Sequence, residues 1–351
     1  MKRVVPILLV CALAGLSHET LTTTVLFDRE IVRILDKHCV MCHAQGGPSF
    51  PLETYEQTWL QKRPIRADVI ARHMPPWAAV AGYGQFANEN SLTLRETQFI
   101  VSWVEGLGPR NAGTVFTNTA TPGAARPKEV QAHADFGRWQ LGEPQLTRQL
   151  AASTIEPQAD EIKRSVVDLG LASERRLRAL EFLPGDRRVV RAAFFTIQET
   201  GQWIGSWTPW YGYMSLPKGT AYRLPAGSHI VAEIHYRGAQ ERVIDRGTLG
   251  LIFADQAADS ISDVTVDDKT CLAADTYVVA LRPQMQAGVK SIEVSARKPD
   301  GSTEILLFAK DIPADWPTPY ILKEPVLLPR GAVLSVTRGV HLTVSSYRAR
   351  K

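Results

Sequence analysis

The pentapeptide Cys39-Val40-Met41-Cys42-His43 constrains this chain more than any other stretch. C-x-x-C-H is the spacing at which two thiols on one helical turn bond covalently to the edge of a porphyrin while the next imidazole ligates its iron. A chain of this kind must fold against a large planar group, with Cys39 and Cys42 at the attachment edge and His43 below the metal. Two other chemistries use parts of the pattern. A zinc half-site needs a second ligand pair, and the only other cysteine expected in the mature chain is Cys271. A redox C-x-x-C has no need of the histidine. With four cysteines and eight histidines among 351 residues, this order is not readily produced by chance, and one haem c is the expected cofactor.

The first residues agree with that chemistry. Lys2-Arg3 precedes an apolar run from Val4 to Ala14, too short to span a bilayer, which ends in Ala12-Leu13-Ala14, a small-residue cleavage pattern. Residues 1–14 are therefore expected to be a secretory signal peptide, and the mature chain to be exported to the periplasm. Lipidation at Cys11 ranks second, because Val10 before it is bulky for a lipoprotein site. No later run suits a membrane helix, so no stable membrane insertion is expected once the signal is removed. The composition is that of a globular chain, 44% hydrophobic and 22% charged. A net charge of +4 without a basic block argues against nucleic acid as a partner. Cys271, left without a partner, is expected as a small buried side chain.

Between Asp28 and about Pro109 the apolar pattern is helical. Asp28 is expected to cap a helix whose stripe is Ile31, Val32, Ile34 and Leu35, ending at Cys39. Thr93-Leu94-Arg95-Glu96 is a capping box, and Phe99, Ile100, Trp103 and Val104 form the face behind it. Gly106, Gly108 and Pro109 close that helix. From Asn111 the chain turns to Thr, Ala, Gly and Pro, so 111–128 is expected to be a linker. Beyond it the texture is β. Ser228–Tyr236 alternates, with His229, Val231, Glu233 and His235 on one face and Ile230, Ala232, Ile234 and Tyr236 on the other. Ser291–Phe308 reads as a hairpin about Asp300-Gly301. Short strands divided by Pro and Gly turns indicate two sandwiches with a junction near Ala254–Asp263.

The iron needs a second axial ligand or an open position. In Arg72-His73-Met74-Pro75-Pro76-Trp77, the prolines must stop any helix running from Thr58 to His73, which leaves Met74 at the end of a rigid element. A thioether favours ferrous iron and suits electron transfer, so Met74 is the first choice, with His73 or an open site as alternatives. Met41 lies inside the attachment motif and cannot reach across. His38 is expected to pack or to lie toward the propionates.

These residues are similar to those of a family of bacterial exported proteins. The similarity runs through Ile31-x2-Ile34-Leu35-x2-His38-Cys39-x2-Cys42-His43, Pro51-Leu52-x-Thr54-Tyr55, His73-Met74-Pro75-Pro76-Trp77 and Ser91-Leu92-Thr93. It continues in Phe182-x-Pro184-Gly185, Gly205-Ser206-Trp207, Leu224-Pro225-Ala226-Gly227-Ser228, His235-Tyr236, Leu281-x-Pro283-x-Met285-x-x-Gly288 and Pro325-x-x-Leu328-Pro329-x-Gly331. The family resembled joins a small cytochrome c domain to a copper type II, ascorbate-dependent monooxygenase pair of the peptidylglycine and dopamine β type. The resemblance implies a multidomain fold: an all-α cytochrome c domain (27–110) followed by two all-β jelly-roll sandwiches (129–255 and 256–351).

The resemblance also implies copper ligands, most of which are missing. In the family, a His-His pair and the histidine of a His-Tyr strand hold the first copper. His235-Tyr236 is present, but Arg191-Ala192 stands after Arg188-Val189-Val190 where the pair belongs. A guanidinium there disfavours a dication. The second copper's His-x-His is replaced by Gln284-Met285-Gln286, and no methionine follows Met285 to complete that site. Amide oxygens are poor ligands for copper(I), so copper is not expected and His235 is a relic position. His229 and Glu233 share its face, and a solvated face is expected there. The aromatics Trp203, Trp207, Trp210, Tyr211 and Tyr213 are expected to pack rather than to bind a ligand. The expectation is therefore an electron-transfer haem protein with a redox partner protein and a degenerate monooxygenase scaffold, leaning away from catalysis. The alternatives are a copper- and haem-dependent monooxygenase, and a haem-based sensor or peroxidase-like module with an open iron.

Overall fold

A computed structural model describes residues 23–112, 137–254, 258–313 and 316–348. The expected signal 1–14 and most of the expected linker 111–128 lie outside the described residues.

Helix forms only where the N-terminal pattern sustains it. A wide i→i+5 turn over Phe27–Ile31 leads into α1, Val32–His38, which ends on Cys39. Asp28 is not the cap of this element: the chain enters at Leu26, whose N–H is bound by the Glu30 carboxylate at 2.9 Å. The next helices are α2, Tyr55–Leu60, and α3, Lys62–Ile70. The last, α4, spans Leu94–Glu105 behind the Thr93–Glu96 capping box, both of whose hydrogen bonds form. Ile100, Trp103 and Val104 of α4 meet Ile31, Ile34 and Leu35 in a small apolar cluster.

The all-α cytochrome c domain expected for 27–110 is corrected. The structure is mostly β, 42% strand against 13% helix, and the described residues form four short α-helices. The physical reason lies in the segment after α3. The expected helix from Thr58 to His73 is instead two short ones, the second ending at Ile70, where Arg72 turns to φ 58° before Pro75 and Pro76; the residues beyond join the sheets. Val80 N–H donates to Phe308 (2.7 Å), Lys310 N–H to Ala78 (3.0 Å), Ala87 N–H to Ile321 (2.7 Å) and Lys323 N–H to Gln85 (2.9 Å). This strap therefore pairs with the edges of two strands, Thr303–Lys310 and Tyr320–Leu328. Trp77 and Phe86 insert between the sheets against Tyr320, at centroid distances of 5.4 and 5.3 Å. Helical cluster and sandwich thus share one continuous segment.

The β region forms two sandwich-like units. In the first, a six-stranded sheet includes Arg175–Leu183 and Thr248–Phe253, and a four-stranded sheet runs Asp160–Asp168, His229–Arg237, Val190–Ile197, Trp203–Trp207. Phe182 joins the two layers, packing on Phe195 at 5.4 Å and Trp207 at 6.0 Å. The His229–Arg237 strand alternates in burial as its sequence dictates, with Ile230, Ala232, Ile234 and Tyr236 inward. The chain crosses to the second unit between Ser260 and Ser262, paired on either side to different sheets. There, two four-stranded sheets enclose Val278, Leu281, Ile292, Val294, Leu334 and Leu342. Ser291–Arg297 and Thr303–Lys310 form the expected hairpin, with Gly301 at φ 85° in its turn. Cys271, expected buried, is exposed, because Lys269–Cys271 is an edge strand.

Candidate haem site

The C-x-x-C-H segment leaves α1 as a tight turn: Cys42 N–H and His43 N–H both bond to the Cys39 carbonyl, at 3.0 and 2.9 Å. That turn gathers the two thiols and the imidazole within five residues of one loop. His43 Nδ1 lies 2.8 Å from the Phe50 carbonyl, and the His43 and Phe50 rings meet edge-on at 4.7 Å. A carbonyl only accepts, so Nδ1 carries the proton and Nε2 holds the lone pair, the tautomer an iron ligand needs. Burial lowers the imidazole's basicity, opposed by the Phe50 bond and assisted by the charge of Arg191. Both cysteines are free thiols. Burial pushes Cys39 up to about 12, with Cys42 and Glu96 adding to the rise. Burial likewise raises Cys42 to about 12, against the pull of Arg187 and Arg191.

His38 does not face outward. It is buried, with Nδ1 3.1 Å from Asn90 Oδ1 and Nε2 3.3 Å from Glu96 Oε1, so both ring nitrogens are committed to α4 and the segment before it. Met74 is half-buried, and His73 is exposed with Nδ1 3.6 Å from Asp68. The Asp68 carbonyl accepts from Met74 N–H at 3.3 Å, and the Asp68 charge reaches His43. A cavity of about 240 Å³ adjoins the loop, bounded by Met41, Arg187, Trp207 and Trp210; Cys39, Cys42 and His43 do not border it. The donor set and the oriented imidazole fit a covalently held haem.

Sequence reasoning missed what holds this loop from outside. Arg187 Nη2 donates to the Met41 carbonyl at 2.6 Å, and Arg191 Nη1 to the Pro48 carbonyl at 3.1 Å. Arg191 also lies over the Trp316 ring at 4.9 Å, and Trp316 packs on Trp210 at 6.0 Å. Trp210 in turn donates to the Asn88 carbonyl at 3.2 Å. The first sandwich, the second sandwich, the strap and the C-x-x-C-H loop all meet at this point.

The positions where the resemblance implies copper ligands make other contacts. His235 Nε2 is 3.3 Å from Glu233, and its ring packs on Phe194 at 5.5 Å. The hydrogen bond with His235, reinforced by Arg164 and Arg282, holds the Glu233 carboxyl down to about 2. Arg282 comes from the other sandwich, 3.6 Å from Glu233 and 4.5 Å above Phe194, so an ion-pair cluster bridges the two units here. Gln284, Met285 and Gln286 are exposed. Among the described residues, no three His, Cys, Asp or Glu side chains converge as a metal site. Among the described residues, no helix is long and apolar enough to cross a membrane.

No family model matches the chain, and no curated protein matches it. Among solved structures it is similar to the major capsid protein P2 of bacteriophage PM2, at 8% identity over 57% of this chain and 98% of that one, TM-score 0.24. It is also similar to a putative alpha-L-fucosidase from Bacteroides ovatus, at 11% identity over 74% of this chain and 47% of that one, TM-score 0.20. The CUB1-EGF-CUB2 domain of human MASP-1/3 follows at 8% identity, over 56% and 99% of the two chains, TM-score 0.15. Likenesses this weak carry no argument about function.

Proposed function

We propose that this chain is an exported haem c protein that passes single electrons between protein partners, carried on a jelly-roll scaffold of the copper monooxygenase type that has lost its copper chemistry. The observation that carries the reading is the 2.8 Å bond from His43 Nδ1 to the Phe50 carbonyl, which directs Nε2 outward as a ligand within the C-x-x-C-H turn. Bound haem would supply a one-electron iron couple. Cys39 and Cys42 would hold the group by thioether bonds, and His43 and Met74 would be the residues that ligate its iron. Burial keeps both thiols neutral until attachment. The sandwiches serve as support and docking surface, since Arg191 and the exposed Gln284–Gln286 stretch replace the expected copper ligands. The family assignment and the periplasmic location belong to the same proposal.

The test is the optical spectrum of the purified oxidised protein. A weak long-wavelength band of a methionine–iron bond is expected, and Met74→Ala abolishes it while the haem remains attached. A wild-type protein that lacks the band and binds cyanide at once contradicts the second ligand and favours an open iron.

A further inference from the structure

Two arginines of the first sandwich point away from their own sheet and into the C-x-x-C-H loop. They emerge from a short stretch that sends successive side chains in different directions. Asp186 and Arg188 pair with each other at 2.6 Å. The ladder then slips: Val190 pairs with Tyr236 and Ala192 with His235, leaving Arg191 as the extra residue of a bulge. A bulge re-aims the side chain it carries. Arg191 thereby reaches the Pro48 carbonyl and the Trp316 face, and Arg187 reaches the Met41 carbonyl between the two cysteines. Both residues are half-buried.

We propose that Arg187 and Arg191 form a cationic clamp on the haem-attachment loop, fixing its backbone and raising the reduction potential of the iron held there. The inference rests on the haem reading above. Two permanent charges in a partly desolvated junction destabilise the ferric form, which carries one more positive charge than the ferrous form. Burial brings Arg187 down to about 10, which still leaves it fully charged at neutral pH. Guanidinium suits the position because its planar fork donates to carbonyls while its face lies on an indole.

The experiment uses the full chain, matured with haem, as wild type and as Arg187→Gln, Arg191→Gln, Arg187→Lys and Arg191→Lys. Haem content is measured first, then the potential by optical redox titration, and the exchange of the loop amides of residues 41–47 and 49. Each Gln variant is expected to shift the iron toward ferric by about three- to tenfold at a fixed potential. Tenfold corresponds to about 59 mV for one electron. The Lys variants keep most of the wild-type value, and loop exchange quickens in the Gln variants. Potentials unchanged within about twofold, or lowered equally by Lys and Gln, overturn the clamp while leaving the haem reading intact. Wild-type protein without haem overturns both. Should Arg187→Gln fail to mature, Arg191→Gln and the Lys pair decide the matter alone.

Discussion

Trp77 sits in the segment that sequence patterning places with the haem helices, yet its side chain belongs to the core of the second sandwich. It is 7% exposed and packs edge-on against Phe86 at 5.7 Å and Tyr320 at 5.4 Å. Trp77→Ala removes both ring contacts and leaves a void. Large aromatic truncations cost about 3–5 kcal/mol, of which each ring pair accounts for roughly 1. Trp77 also borders a groove of about 560 Å³, so water can enter the void, and the expected cost lies near the lower end, about 3 kcal/mol. The loss should be local. Native-state hydrogen exchange reads it at the amides of Val80, Ala87, Lys310 and Lys323, which join the strap to the sandwich edges. These should exchange roughly a hundredfold faster, while the α4 amides change little. A cost below about 1 kcal/mol, or faster exchange confined to the helices, would refute the shared core.

Two further outcomes follow from the same structure. Burial alone would raise the Glu96 carboxyl, but bonds from Thr93 and Lys37 bring it down to about 2 from 4.5. A depressed carboxyl contributes stability that is present above 4.5 and lost as pH falls through 2. Glu96→Gln should therefore lower stability at pH 7 by about 1–3 kcal/mol and flatten the acid limb of a denaturation series; an unchanged acid limb contradicts the network. Gly84 adopts φ 79° in the strap, and a Cβ there would lie 2.5 Å from the Leu306 carbonyl oxygen. Gly84→Ala should cost about 2 kcal/mol or more in thermal or denaturant unfolding, whereas a neutral result would mean the strap adjusts freely.

Signals that act within a few residues were readable from the chain. The Thr93–Glu96 box, the alternation of Ile230, Ala232, Ile234 and Tyr236, and the turn at Gly301 all depend on neighbours close in sequence. The strap was not readable. Its Pro, Gly and Ala residues carry no period, and its partners Phe308 and Ile321 are more than two hundred residues away. A separation of 143 residues hides the clamp: Arg191 looks like the loss of a copper ligand, and only the bulge beside Tyr236 turns it toward Pro48. Cys271 is exposed because edge position, set by sheet order, decides its burial. An all-α domain was inferred from two good helical stripes, but stripes do not reveal where a proline pair sends the chain next.

The haem claim itself is tested most directly by the intact mass of the full chain expressed with export and a cytochrome c maturation system, beside a Cys39→Ser, Cys42→Ser double variant. The account predicts a wild-type mass increased by one haem that survives acid-solvent extraction, and no such increase in the double variant. A mature wild-type chain carrying no added haem mass would contradict it.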